Sequence, residues 1–398
     1  MTREAGRASP AVTLALCFAA AMVEGFDIQA AGVAARGMGA AFALDPGELG
    51  LVLAASPLGL LFGAALGGRL ADRVGRKGSL IASVAVFGLF TLGTALSSGG
   101  EALLVMRFLT GLGLGGALPN LIALSAEAAA RRNRTTLVAV MAAGMPVGGV
   151  LAALTGLASG DWRGVFWIGG AAPLALAALL WLALPESRRF QEAKAAGATR
   201  VPLAEALFGQ GRALTTLLLG AAFFATLLIL YLLQNWLPSL MQDRGFSRPQ
   251  AAAIQAAFNV GGAAGAMALG WLIDRGARRW VIAGAYAGAA ASLLALAAIG
   301  SDLTQAALTA GMVGVFVTGS QLALYGLAPH HYATAIRGTG VGAAVALGRA
   351  GAVSGPLFAA ALVGAGEGAA EVLRALLPVV VVAGAAAVAV TFRPRVDD

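Results

Sequence analysis

Twelve times along its 398 residues, the chain runs through a long stretch made almost wholly of Ala, Gly, Leu, Val, Ile and Phe. The runs fall near 11–35, 47–71, 79–97, 102–126, 136–158, 165–184, 213–237, 250–273, 281–299, 305–328, 339–363 and 372–391. About 20 such residues in a helix cross the hydrocarbon of a bilayer. With no water there to satisfy a peptide group, a helix that closes its own hydrogen bonds is the economical solution. A soluble core is excluded by what is left over. Only 12% of the chain is charged, 59% is hydrophobic and the mean hydropathy is +0.83, whereas a soluble domain is roughly 25% charged. The expected fold is therefore all-α and polytopic, with twelve transmembrane helices and no sizeable soluble domain.

The first run follows a short leader holding Arg3 and Arg7. It is too long for the apolar part of a cleaved signal, and Glu24 and Asp27 interrupt it, so a retained first helix is expected. With the N-terminus placed in the cytoplasm, 20 of the 27 Lys and Arg fall on the cytoplasmic side. Five (Arg36, Arg163, Arg244, Arg248 and Arg374) fall on the other, and Arg107 and Arg349 lie inside spans. This bias orients the chain by the positive-inside rule, both termini cytoplasmic in the cell membrane. The net charge of +8 and pI near 10.7 thus report topology. They do not form the clustered basic patch of a nucleic-acid binder, and no nucleic-acid partner is expected. The longest connection is charged and separates two six-helix halves, giving 1–184, a linker at 185–212, and 213–398.

The halves echo one another. Gly68-Arg-Leu-Ala-Asp72-Arg73-Val-Gly-Arg76-Lys77 after the second run matches Gly270-Trp-Leu-Ile-Asp274-Arg275-Gly-Ala-Arg278-Arg279 after the eighth, at an offset of 202. Arg134-Thr135 and Arg337-Gly338-Thr339 repeat at 203. Secondary transporters are commonly built from such repeats, with the substrate near the midplane. The first of these loops, with Arg107-x-x-x-Gly111-x-Gly113-x-Gly115 and Pro185-Glu186-Ser187, resembles the major facilitator superfamily along essentially the whole chain. Glu24-Gly-Phe-Asp27, Trp236-Leu-Pro238, Arg337-Gly-Thr-Gly-Val-Gly342, Gly348-Arg349-x-Gly351 and Gly355-Pro356 resemble its aromatic acid:proton symporters, and the run from Glu24 to Leu44 with that from Leu109 to Leu124 is similar to the 3-(3-hydroxyphenyl)propionate transporters among them. Position 24 is Glu where many members carry Asp. The resemblance implies proton-coupled import of an aromatic acid by alternating access, with Asp27 as the proton carrier.

The residues themselves carry a compatible reading. Glu24 and Asp27 share one helix face, at a depth where a bare carboxylate costs a few kcal/mol or more. Two like charges so close resist joint ionisation, so one of them is expected to exchange a proton near physiological pH. A protonated pair that merely bonds neighbouring helices would also satisfy them. Arg107 and Arg349, one in each half, either neutralise these acids or hold a substrate carboxylate in the planar guanidinium fork. Tyr231 with Gln234 and Asn235, Gln255 with Asn259, and Gln321 with Tyr325 recur at helical spacing. They either line a substrate cavity or bond helix to helix. Asp72, Arg73 and Arg76, echoed by Asp274 and Arg275, lie at the membrane surface and are expected to gate, or only to set topology.

Other chemistry is excluded. His330 and His331 adjoin in one loop and Cys17 is the single cysteine, so neither a metal site, a disulfide nor a catalytic triad is expected. The glycine run from Gly111 lacks a Gly-Lys-Ser/Thr ending and suits close helix packing. With no nucleotide-binding segment, an ion gradient is the expected energy source. The expectation is a secondary transporter, not an enzyme, without a cofactor. Its partners are a small aromatic acid, protons and the lipid bilayer, and its functional unit is a monomer. The alternative on the same fold is a proton-driven exporter of organic compounds or drugs.

Overall fold

The computed structural model describes residues 10–128, 137, 140–186, 209, 212–275, 278–332 and 337–393. Most of the linker expected at 185–212 lies outside them. Among the described residues the regular structure is entirely helical: α1 (Pro10–Phe42), α2 (Pro46–Val74), α3 (Arg76–Ala95), α4 (Gly100–Ala128), α5 (Gly144–Ala158), α6 (Arg163–Ala183), α7 (Ala213–Asp243), α8 (Arg248–Asp274), α9 (Arg278–Ala298), α10 (Leu303–Leu327), a 3-10 turn (Ala328–His331), α11 (Arg337–Gly364), α12 (Ala369–Ala375) and α13 (Leu377–Thr391). The last two form one crossing with a break before Pro378. Twelve crossings are long and apolar enough to span a membrane. Apolar side chains also cover the outside: Leu182, Leu308, Val381 and Met267 are well exposed, as expected where the surrounding solvent is lipid.

The helices form two compact units, Met1–Ala34 with Ala55–Ala198, and Ala35–Ala54 with Thr199–Asp398. The tip of the α1–α2 hairpin is thus counted with the second unit, where Arg36 pairs with Asp243. Inside each unit the same packing recurs. In the first, α1 and α5 meet backbone to backbone, so that a Cβ on Gly148 would strike the Met22 carbonyl. In the second, α7 and α11 meet the same way, and a Cβ on Gly351 would strike the Phe224 carbonyl. One contact pair is the other displaced by 202 and 203 residues. Close approach of this kind is how helices associate where no hydrophobic force drives them together.

The repeat extends to the helix ends. Asp45 and Glu48 cap α2 reciprocally, Glu48 N–H donating to Asp45 Oδ1 at 2.8 Å and Asp45 N–H to Glu48 Oε2 at 3.0 Å. Ser247 and Gln250, 202 residues on, do the same for α8. Such boxes satisfy donors that a helix start leaves open. The C-terminal carbonyls of α3 and α9 are satisfied by arginines from other helices. Arg163 Nε donates to Ala95 O at 3.1 Å, and Arg244 Nη1 to Leu296 O at 2.7 Å with a second bond to Ile299 O. Burial, followed by the neighbouring Arg374, lowers the Arg244 guanidinium below its ordinary value, and Glu371 partly offsets this.

Candidate functional site

In the first unit, four helices converge on Asp27. A Cβ on Gly25 would strike the Met145 carbonyl of α5, so α1 is pressed against α5 at the level of its acids. Glu24 is 1% exposed and Asp27 0%. Thr91 on α3 donates its hydroxyl to Asp27 Oδ1 at 2.6 Å. Arg107 on α4, 1% exposed, places Nη1 3.3 Å from Oδ1 and 3.2 Å from Oδ2. Its Nη2 donates to the Asp27 backbone carbonyl at 3.4 Å, and its guanidinium carbon lies 5.6 Å from the centre of the Phe166 ring on α6.

The geometry of this pair is informative. One Nη straddles both carboxylate oxygens at long distance, and the parallel fork that Arg offers a carboxylate is not formed. Nε is buried without a hydrogen-bond partner among the described residues. The guanidinium therefore neutralises Asp27 while keeping donor capacity unspent. Breaking a buried pair by removing the charge of one member is costly, because the other is left uncompensated.

The second unit holds a different polar set. Arg349 on α11 donates from Nη1 to the Tyr231 hydroxyl on α7 at 3.1 Å. Asn235 turns back to the Tyr231 carbonyl at 2.8 Å and Asn259 to the Gln255 carbonyl at 3.0 Å, so each spends a donor on its own helix. Gln255 is fully buried. Gln234 is half-buried, with an Oε1 that has no hydrogen-bond partner among the described residues. Gln321, on α10, is 4% exposed, and neither end of its amide has one. Tyr325, one turn on, packs edge-on against Phe223 of α7 with centroids 5.1 Å apart.

The surface cluster is arranged by residues not anticipated from the sequence. Arg76 pairs with Glu127 at the end of α4, and Glu186 accepts from the backbone N–H of Arg76 at 2.9 Å and of Lys77 at 3.1 Å. Arg73 is exposed. Arg275 lies over the Trp271 ring, 3.6 Å from its centre. The side chains of Asp72 and Asp274 lie outside the described residues. Thr91 was likewise missed, since one Thr in an apolar run carries no signal of a partner 64 residues away.

The Major Facilitator Superfamily sequence profile matches residues 17–356 and 224–398. A 3-(3-hydroxyphenyl)propionate transporter of Escherichia coli K12 is 48% identical over 94% of the chain and 92% of its own length. A 4-hydroxybenzoate transporter of Pseudomonas putida is 38% identical over 91% of the chain and 88% of its length, and a gallate transporter of the same species 34% over 89% and 86%. Among solved structures, a D-xylose–proton symporter shares the fold with a TM-score of 0.75 at 19% identity, covering 96% of this chain and 97% of the other. A bacterial homologue of the human lysosomal transporter Spinster does so with 0.77 at 20%, over 96% and 97%.

Proposed function

Because the chain belongs to the Major Facilitator Superfamily and is a multi-pass membrane transporter, we propose that it imports a hydroxylated aromatic carboxylate, 3-(3-hydroxyphenyl)propionate or a close relative, together with a proton. The observation that carries the coupling is the buried Asp27, held by Thr91 and Arg107. Asp27 takes the proton. Glu24, one turn away on α1, tunes its neighbour. Protonation leaves the transport path one positive charge richer, which favours entry of an anion, so proton and anion loading become linked. Linkage of this kind is reciprocal: each ligand raises the affinity for the other by the same factor.

The division of polar groups supports assigning the substrate's carboxylate to the second unit. Arg107 is paired with Asp27 in the first unit, and Arg349 lies with the Tyr231 hydroxyl in the second. Tyr231, Gln234, Asn235, Gln255, Asn259, Gln321 and Tyr325 complete the lining. The substrate class comes from the relatives, three of which are named for phenolic carboxylates. The cluster of Asp72, Arg73 and Arg76 with Asp274 and Arg275 governs exchange between conformations, the protein works as a monomer, and both termini are cytoplasmic.

The test is uptake into proteoliposomes under an imposed pH gradient, screened across aromatic acids. One pH unit is worth about 1.4 kcal/mol per proton, so accumulation of about tenfold is expected when the inside is alkaline. The acid should be accumulated, while its neutral amide should neither be accumulated nor compete. Equal competition by the amide would overturn the carboxylate assignment, and uptake indifferent to the gradient would overturn the coupling.

A further inference from the structure

Several buried polar groups of the second unit have partners of their own. Thr226 and Tyr286 hydroxyls meet at 2.7 Å, those of Thr216 and Tyr332 at 2.9 Å, and Asn235 and Asn259 bond their own helices. Gln321 differs. A whole amide, donor and acceptor, is buried on α10 with neither end bonded among the described residues. Leaving both ends desolvated and unmet is costly, and buried polar groups in proteins rarely go without a partner.

Its position says what would satisfy it. The rings of Tyr325 and Phe223 fix the level of α10 against α7, and three chain reversals between these helices make them antiparallel. Gln321 is one turn from Tyr325 towards the level of Tyr231, which lies eight residues beyond Phe223. At 1.5 Å per residue Gln321 stands about 6 Å short of Tyr231 along the helix axis. Along the helix axis the levels of Gln321 and Tyr231 thus differ by an offset that one substituted aromatic ring can cover.

We infer that Gln321 reads the ring hydroxyl of a hydroxylated aromatic acid whose carboxylate lies on Arg349 and Tyr231. The amide suits a phenol, since it can accept the phenolic proton and donate to the phenolic oxygen. A site built to bond a hydroxyl rejects the analogue lacking it, because the analogue leaves the amide unmet. This rests on the aromatic-acid reading above.

The experiment compares uptake of 3-(3-hydroxyphenyl)propionate and 3-phenylpropionate by the wild type and by Gln321→Leu, with membrane level measured for each. The wild type should favour the hydroxylated acid by about tenfold or more in KM, as one buried hydrogen bond implies. In Gln321→Leu the two KM values should converge to within about threefold, mainly by loss of affinity for the hydroxylated acid, while 3-phenylpropionate is still carried. Gln321→Met, close to glutamine in length, carries the same comparison if the leucine variant does not reach the membrane. An unchanged ratio, or equal loss of both acids at normal membrane level, would overturn the assignment to Gln321. A wild type that carries neither acid would instead overturn the substrate reading.

Discussion

At the scale of single residues, Asp27 is tied to three elements other than its own: Thr91 on α3 and Arg107 on α4 bond it directly, and Phe166 on α6 lies under the guanidinium. Asp27→Asn keeps the shape and removes the titrating group. It is expected to reach the membrane and to exchange substrate, with gradient-driven accumulation falling to the level of simple equilibration; normal accumulation in proteoliposomes would remove Asp27 from the coupling step. Arg107→Lys tests geometry in place of charge. An ammonium cannot hold the Asp27 carboxylate and its backbone carbonyl from two nitrogens at once and is more strongly hydrated than a guanidinium, so uptake at limiting substrate is expected to fall by about tenfold or more, measured as initial rates at equal membrane level.

At the scale of helices, the two units build the same interface, but at one of its contacts the small residue has changed sides. Gly144 of α5 lies against Phe18 of α1, where a Cβ would come 2.6 Å from the Phe18 carbonyl. At the equivalent place Gly220 of α7 lies against Leu347 of α11; 18 and 220, and 144 and 347, are related by the offsets of the repeat. What the packing requires is one glycine per contact, on either helix. Gly144→Leu alone should overpack the α1–α5 seam at a cost of about 1–3 kcal/mol. Adding Phe18→Gly, which imports the second unit's arrangement, should restore part of that loss. Thermal unfolding in detergent would show this as a non-additive pair.

The helices themselves were legible because apolar length is set by the bilayer and needs no tertiary information. The capping boxes at Asp45–Glu48 and Ser247–Gln250 were legible too, in the right spacing before apolar runs, but went unread. The partners of Arg76 were not. Glu127 and Glu186 lie 51 and 110 residues away, and nothing local marks which acid a loop arginine will meet. The same holds for Thr91. Asp27 and Arg107 were singled out as isolated charges in apolar runs, a signal that depends on burial cost alone, and the structure brings them together.

At the scale of the whole molecule, four of the five arginines expected on the sparsely charged face meet a helix end or an acid. Arg163 and Arg244 close the ends of α3 and α9, Arg36 pairs with Asp243, and Arg374 with Glu371. These exceptions to the charge bias are thus retained where a helix end or an acid uses them. On the opposite face Arg275 and Arg279 lie over Trp271 and Trp280, an interfacial pairing of aromatic and cation. In a Cys17→Ala background, a cysteine at Val396 is expected to resist a membrane-impermeant thiol reagent in whole cells and one at Ser301 to react. The reverse pattern would invert the topology.

The near-neutral pairing of Asp27 with Arg107 has an electrical corollary. In the symport proposed above, with one proton carried per anion, the charge carried across the membrane is that of one proton and one carboxylate, which is zero. The membrane potential exerts about 2.3 kcal/mol per elementary charge per 100 mV, and on such a loaded carrier it has nothing to pull. A potassium diffusion potential set with valinomycin at equal pH should therefore leave uptake unchanged. On the proposed one-to-one coupling, the pH difference alone drives this protein and continues to do so when the voltage collapses.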